Sequence, residues 1–310
     1  MAALICGSFA YDTIMVFPGQ FKNEILPDKV HILNVAFLVP QLRREYGGTA
    51  GNIAYNLNML GSKALPMGTV GRDFDRYRDW LDQNKISREY VKQVPDSYTA
   101  QAYITTDLDD NQITAFHPGA MNFAHTQDIA TQDIKVGTVS PDGRDGMILH
   151  AKQFAEAGIP FLFDPGQGLP MFNGDELKAF VEQASYLAVN DYESEMLMER
   201  TGWSLKQIAD RLDALIVTRG GKGSSIHTKA KVHEIACAKA DALADPTGCG
   251  DAYRGGLLHG LLKGMDWETT GRAAAIMGAL NISRPGTQNH KVTPESFSER
   301  FKQEYKYDPA

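Results

Sequence analysis

Asp245-Pro246-Thr247-Gly248-Cys249-Gly250-Asp251-Ala252-Tyr253-Arg254-Gly255-Gly256 is a turn that runs straight into an apolar helix, marked by Leu257, Leu258, Leu261 and Leu262. The glycines on either side of Cys249 let the backbone turn and present successive N–H groups outward. A helix N-terminus adds four unsatisfied N–H groups and a positive dipole end. Together they suit an anion such as phosphate. An aspartate at that point, Asp251, can accept the proton of a hydroxyl that attacks the phosphate. A plain helix cap needs only Asp, Ser or Thr. It does not need Gly-x-Gly before it, so the chemical reading outweighs the cap.

Outward from that stretch, short apolar runs (IKVGTVS, IPFLFD, YLAVND, ALIVTR) alternate with segments of helical composition such as 191–200 and 204–212. Alternation of this kind predicts a parallel sheet with helices on both faces. Residues 1–7 read as its first buried strand. Ile53, Leu57 and Leu60 recur at helical spacing before Gly61. Further helices are expected over 75–84, on the surface, over roughly 269–282, and after Pro294. Two pieces interrupt the pattern. His31 to Val39 reads as a strand, and AQAYITT with QITAF reads as a hairpin around LDDN. The expected domains are therefore an α/β body (1–11, 46–97 and 118–310) and an inserted β lid (12–45 and 98–117).

Several other positions can carry chemistry. Gly47-Gly48-Thr49-Ala50-Gly51-Asn52 leads into a helix, either as a ligand cradle or as an ordinary strand–helix turn. Asp12 follows the first strand, where ligands collect in a doubly wound sheet. It can accept from two adjacent hydroxyls or serve as a turn residue. Asn190 and Glu193 share a helical face, and Glu193 can either hold water around Mg²⁺ or complete a surface turn. Thr218-Arg-Gly-Gly-Lys-Gly223 lacks P-loop spacing. Phe116 can stack on a flat ring or fill an interface.

The chain has 310 residues, 43% of them hydrophobic and 22% charged, with a net charge of −7. That composition suits a folded domain with a sizeable core and argues against a nucleic-acid binder. Cys6, Cys237 and Cys249 are too few and too scattered for a disulfide scaffold or zinc site, so a cytoplasmic setting is expected. No leader pattern or membrane span is expected. GxGxxG, GxSxG and HExxH are missing, which disfavours dehydrogenases, serine hydrolases and zinc proteases.

With these pieces in order, GGTAGN near residue 50 and DPTGCGDA near 250 resemble the two signatures of the ribokinase/PfkB kinase family. Asp12, NDYE and TRGGKG fall in the family's order, so the resemblance covers essentially the whole chain. FPGQF, ILPDKVHILNVAFLV, YRDWL, ITAFHPGAM and TGWS are most similar to the family's bacterial adenosine and broad nucleoside kinases. The resemblance implies a three-layer α/β/α sandwich with a β lid. It implies transfer of phosphate from ATP to the ribose 5′-hydroxyl of a nucleoside, adenosine first. A ribokinase- or fructokinase-like sugar kinase is the alternative. By that resemblance Ser8, Asp12, Gly48 and Asn52 surround the ribose, and Phe116 and Gln167 face the base. Asn190, Thr218, Gly220 and Gly223 face ATP, and Glu193 faces its Mg²⁺. Gly248, Cys249 and Gly250 form the anion hole, and Asp251 is the base. Asp245, Thr247 and Gly286 resemble a site for a monovalent cation, K⁺. Where adenosine kinases of the family carry paired glutamines this chain has Gln167-Gly168, which predicts a looser base pocket. Edge strands of the lid predict a homodimer through the lids.

Overall fold

The computed structural model describes residues 1–25, 31–109 and 111–309. Among them a nine-stranded sheet runs β13-β12-β11-β10-β9-β8-β1-β4-β5. Its strands are β1 (Ala2–Cys6), β4 (Ala64–Val70), β5 (Tyr90–Gln93), β8 (Ile134–Val139), β9 (Phe161–Phe163), β10 (Tyr186–Asn190), β11 (Ala214–Thr218), β12 (Ser224–Thr228) and β13 (Val232–Ile235). From β5 to β11 every pairing is parallel. The last two strands join antiparallel. That antiparallel edge is not foreshadowed by the βα alternation. After β1 the chain first builds β4 and β5 on one side, then β8 onward on the other. The switch in direction opens a crevice beyond the carboxyl ends of β1 and β8, where such sheets bind ligands.

Alternate residues of β1 face opposite layers. Leu4 and Cys6 join Phe154, Phe163, Leu177 and Leu197. These come from β9 and from the layer of α4 (Arg144–Glu156), α5 (Gly174–Gln183), α6 (Asp191–Thr201) and α7 (Leu205–Ala209). Ala3 and Ile5 join Ile53, Leu57, Tyr77 and Leu258. These belong to the other layer: α2 (Thr49–Met59), α3 (Asp75–Gln83), α8 (Cys249–Lys263), α9 (Trp267–Ile282) and α10 (Pro294–Tyr305). Strands buried on both faces explain the unbroken apolar runs in the sequence.

A second sheet runs β3-β2-β6-β7, from β2 (Ala10–Val16), β3 (Gln41–Gly47), β6 (Ala100–Thr106) and β7 (Gln112–His117). β6 and β7 form the expected antiparallel hairpin. Position 110 of its LDDN turn lies outside the described residues, as do 26–30 of the long first segment. The one-turn α1 (Phe21–Glu24) follows β2.

Two expectations are corrected. Residues 33–40 have no regular structure, and the strand begins only at Gln41. Ile32, Leu33 and Leu38 are more than half exposed, while Val35, Phe37 and Val39 are partly buried and Phe37 packs onto Phe17 and Phe21. Apolar composition there serves packing rather than a ladder. The helix over 75–84 is not a plain surface helix, because Tyr77 and Leu81 are fully buried.

Candidate active site

Asp251 lies in the first turn of α8, whose N-cap Gly248 adopts φ +80°. A side chain at Gly248 would be strained in that left-handed conformation and would press on Thr287. Cys249 N–H closes a turn on Pro246 O at 3.2 Å. Among the described residues the N–H groups of Gly248 and Gly250 have no acceptor. Two of the three expected anion-hole donors therefore lie without an internal acceptor at the positive end of α8.

The Asp251 carboxylate accepts from Asn52 Nδ2 at 2.7 Å. Burial pushes its pKa up to about 7. The Asn52 hydrogen bond and Arg254 oppose that rise, and the negative charges of Asp164 and Asp12 add to it. A carboxyl in that range is matched to proton transfer near neutral pH. Asn52 is itself buried. Ser8 accepts from Thr49 N–H and donates N–H to Thr49 Oγ1, each at 3.2 Å, tying the β1 loop to the start of α2 beside Gly48.

Asp12 sits on β2. Burial pushes its carboxyl up to about 6, with Glu45 and then Asp245 adding repulsion. Its carboxylate leans over Gly47, where a β-carbon would come within 2.5 Å of it. The register pairs Asp12 with Glu45 on one side and Ala102 on the other. Ala102 in turn pairs with Phe116. Directly paired residues share a face. Glu45, Asp12, Ala102 and Phe116 thus form one row across the small sheet. Phe116 is two strand spacings, about 10 Å, from Asp12, with only a methyl group between them.

The expected nucleotide-side residues end neighbouring strands. Asn190 and Glu193 form a reciprocal cap on α6, with Asn190 N–H donating to Glu193 Oε2 at 2.8 Å and Glu193 N–H to Asn190 Oδ1 at 2.7 Å. Burial raises the Glu193 pKa, against the Asn190 N–H bond and the charge of Arg254. Thr218 ends β11, beside Asn190 in the ladder, and Gly220 lies exposed just beyond it. Gly223 has a packing reason for being glycine: its φ is +83°, and a β-carbon would lie 2.1 Å from Ile235 O. Gln167 is exposed in the turn after β9. A side chain at Gly168 would start against Met171 and Met147.

Asp245, Thr247 and Gly286 do meet, but around the carboxylate itself. Asp245 accepts N–H groups from Thr247 and Gly286, each at 2.9 Å, and Arg43 Nη2 stands 3.7 Å away. The charge a monovalent cation would neutralise is already met, so the residues fit such an ion poorly.

Sequence reasoning missed four side chains here. Asp164 and Arg254 form a buried ion pair at 2.9 Å, one helical turn behind Asp251. Gln288 and Trp80 continue the Asn52 hydrogen bond into the body. Only the Tyr77/Trp80/Leu81 spacing on α3 carried any signal of this, as an apolar stripe.

A paired anion-binding helix start and carboxylate, in the crevice of a mainly parallel sheet capped by a small β sheet, define a phosphotransferase with the ribokinase-like fold. Residues 14–294 match the pfkB family of carbohydrate kinases. The chain belongs to that family. It is 34% identical over 289 residues to a nucleoside kinase of Methanocaldococcus jannaschii, covering 91% of this chain and 92% of the relative. A Burkholderia thailandensis nucleoside kinase, solved in complex with inosine, is 50% identical over 99% of both chains, with a TM-score of 0.89. The same enzyme solved with ADP-inosine aligns at 52% identity and a TM-score of 0.87, covering 99% of this chain and 97% of that one.

Proposed function

We propose that this protein is an ATP-dependent nucleoside 5′-kinase that accepts purine nucleosides, adenosine and inosine among them. The observation that carries the reading is the row Glu45–Asp12–Ala102–Phe116. It offers a carboxylate for ribose hydroxyls and, about 10 Å away, an aromatic face for a base, with room between. A free sugar has no flat ring to use Phe116, which disfavours the ribokinase- and fructokinase-like alternative. The complexes of the B. thailandensis relative with inosine and with ADP-inosine support the same choice.

In this reading Asp12 holds the ribose while Ser8, Gly48 and Gln167 border the pocket. The 5′-hydroxyl faces Asp251, which takes its proton as the oxygen attacks the γ-phosphate in line. Gly248 and Gly250 N–H, with the N-terminus of α8, meet the charge that spreads over the transferred group. Asn190, Thr218 and Gly220 border the nucleotide. Among the described residues no cluster of three His, Cys, Asp or Glu side chains could cage a metal. The donor set therefore fits Mg²⁺ held mainly by phosphate oxygens and water, which Glu193 would orient. Bound Mg²⁺ supplies neutralisation of phosphate charge. K⁺ is given no part.

The test is ADP release with adenosine, inosine, guanosine, cytidine, ribose and fructose side by side at saturating Mg²⁺. Turnover with adenosine and inosine at least 10-fold above ribose and fructose is expected. Turnover with the free sugars alone would overturn the nucleoside reading.

A further inference from the structure

Four side chains from separate parts of the chain form one hydrogen-bonded line ending on Asp251. Trp80 Nε1–H on α3 donates to Gln288 Oε1 at 2.7 Å. Gln288 Nε2 donates to Asn52 Oδ1 at 2.9 Å and to the Tyr77 hydroxyl at 2.7 Å. Tyr77 donates onward to Gly47 O at 2.9 Å. Asn52 Nδ2 then donates to Asp251 Oδ2. Gln288, Asn52 and Tyr77 are buried.

An amide can be turned over, exchanging donor for acceptor, and only its partners decide which way it faces. The indole N–H can only donate. It therefore fixes Gln288 with its oxygen toward Trp80 and its NH₂ toward Asn52. That in turn fixes Asn52 with its oxygen toward Gln288 and its NH₂ toward Asp251. Trp80 has little freedom of its own, being stacked between Tyr46 of β3 at 5.0 Å and Tyr55 of α2 at 6.1 Å. The segment holding Gln288 is pinned to α2 on its other side, where Tyr55 donates to His290 O and the His290 ring meets Asn56.

We infer that Trp80 and Gln288 are positioning residues for the transfer step, setting the polarity of the Asn52 amide so that it donates to the Asp251 carboxylate. Turned the other way, Asn52 would aim its oxygen at the carboxylate and favour the protonated form, which cannot act as base. The groups facing Asp251 are Asp12 from β2, Asp164 beyond β9, Arg254 on its own helix and the Tyr77 hydroxyl from α3. Among the described residues none of them gives Asp251 a hydrogen bond, and Asn52 is its one side-chain donor.

The inference rests on Asp251 as the base, so the experiment separates the two. kcat and kcat/KM for adenosine are measured from pH 5 to 9 in Trp80→Phe, Gln288→Glu and Gln288→Met, with Asp251→Asn as reference and melting temperatures recorded. Trp80→Phe should move the acid limb up by about one pH unit and lower kcat about 5–20-fold at pH 6.5. The KM for adenosine should stay within about 2-fold, because among the described residues neither residue hydrogen-bonds to the ribose row. Gln288→Glu should shift the limb further than Gln288→Met, because its second carboxylate oxygen would force Asn52 to turn over. If one variant fails to fold, the others still decide the matter. An inactive Asp251→Asn beside unmoved acid limbs in the folded variants would overturn the inference alone. An Asp251→Asn enzyme with near-normal turnover would overturn the base reading and the inference with it.

Discussion

Asp251 and Asp12 are carboxylates of similar chemistry set apart by position. Both are pushed up by burial, to about 7 and about 6. Asp251 has a dedicated amide donor and sits at a helix start. Asp12 faces Glu45 across the ladder and has no such donor among the described residues. The first arrangement suits proton transfer and the second suits binding hydroxyls. Asp12→Ala should therefore raise the KM for the nucleoside at least 10-fold and that for ATP less than 3-fold. Equal rises for both substrates in steady-state kinetics would remove Asp12 from the ribose. Both aspartates stood out as candidates in the sequence, Asp251 at a helix start and Asp12 just past the first strand, although Asp12 lies within β2 rather than in a turn. The hydrogen bonds around them did not, because Asn52, Gln288 and Trp80 are far apart along the chain.

At the scale of elements, α8 unites three tasks. Its first turn presents N–H groups and Asp251. Its second turn places Arg254 against Asp164 and the carbonyl of Ala188, locking β9 and β10 beneath the site. The rest packs on α9 and α2 through small residues: a β-carbon at Gly256 would lie 2.5 Å from Ala274 Cα, and one at Gly255 2.7 Å from Asn56 Cβ. Losing one partner of such a buried pair costs about 3–5 kcal/mol, so this is the joint on which the site's geometry hangs. The small sheet is built differently. β3 and β7 are its edges, and every residue of β7 is exposed, Ile113 and Phe116 included. An open edge with β-branched residues invites pairing. We propose a homodimer formed through this sheet. Light scattering at micromolar concentration should give about twice the 34.1 kDa chain mass, and a monomer mass would refute it.

Across the whole molecule, charge and stability are linked through the site. Burial raises Asp12 to about 6, Asp251 to about 7 and Asp142, beside the start of α4, to about 8. Each loses its proton near pH 4 once unfolded. Between those values each of these three carboxyls binds more protons in the folded state than in the unfolded one, so their contribution to stability falls as pH rises from about 4 to about 8. His259 and His290, lowered by burial to about 4, contribute in the opposite sense up to about pH 6.5. Asp142 is the cleanest case, because it is buried and its Oδ2 has no hydrogen-bond partner among the described residues. Asp142→Asn should raise stability at pH 8 by up to about 5 kcal/mol, the full span of the shift, with the gain shrinking as pH falls and gone only near pH 4. A gain independent of pH in denaturant titrations would show that burial of charge is not the cause. No helix of the described residues is long and apolar enough to cross a membrane.

The chain by itself determined the class of fold, because strands buried on both faces must be continuously apolar and the helices between them must repeat near 3.6. It also determined the glycine turn at 245–251 that opens α8 on Asp251, because Gly-x-Gly followed by an acid at the head of an apolar run marks a helix start. The register of the small sheet, which aligns Asp12 with Phe116, was settled only by tertiary structure. So was the absence of a strand at 33–40, where alternate apolar residues are partly buried but join no ladder. The line from Trp80 to Asp251 was equally hidden, since hydrogen bonds between buried side chains depend on positions in space and leave no period along the chain.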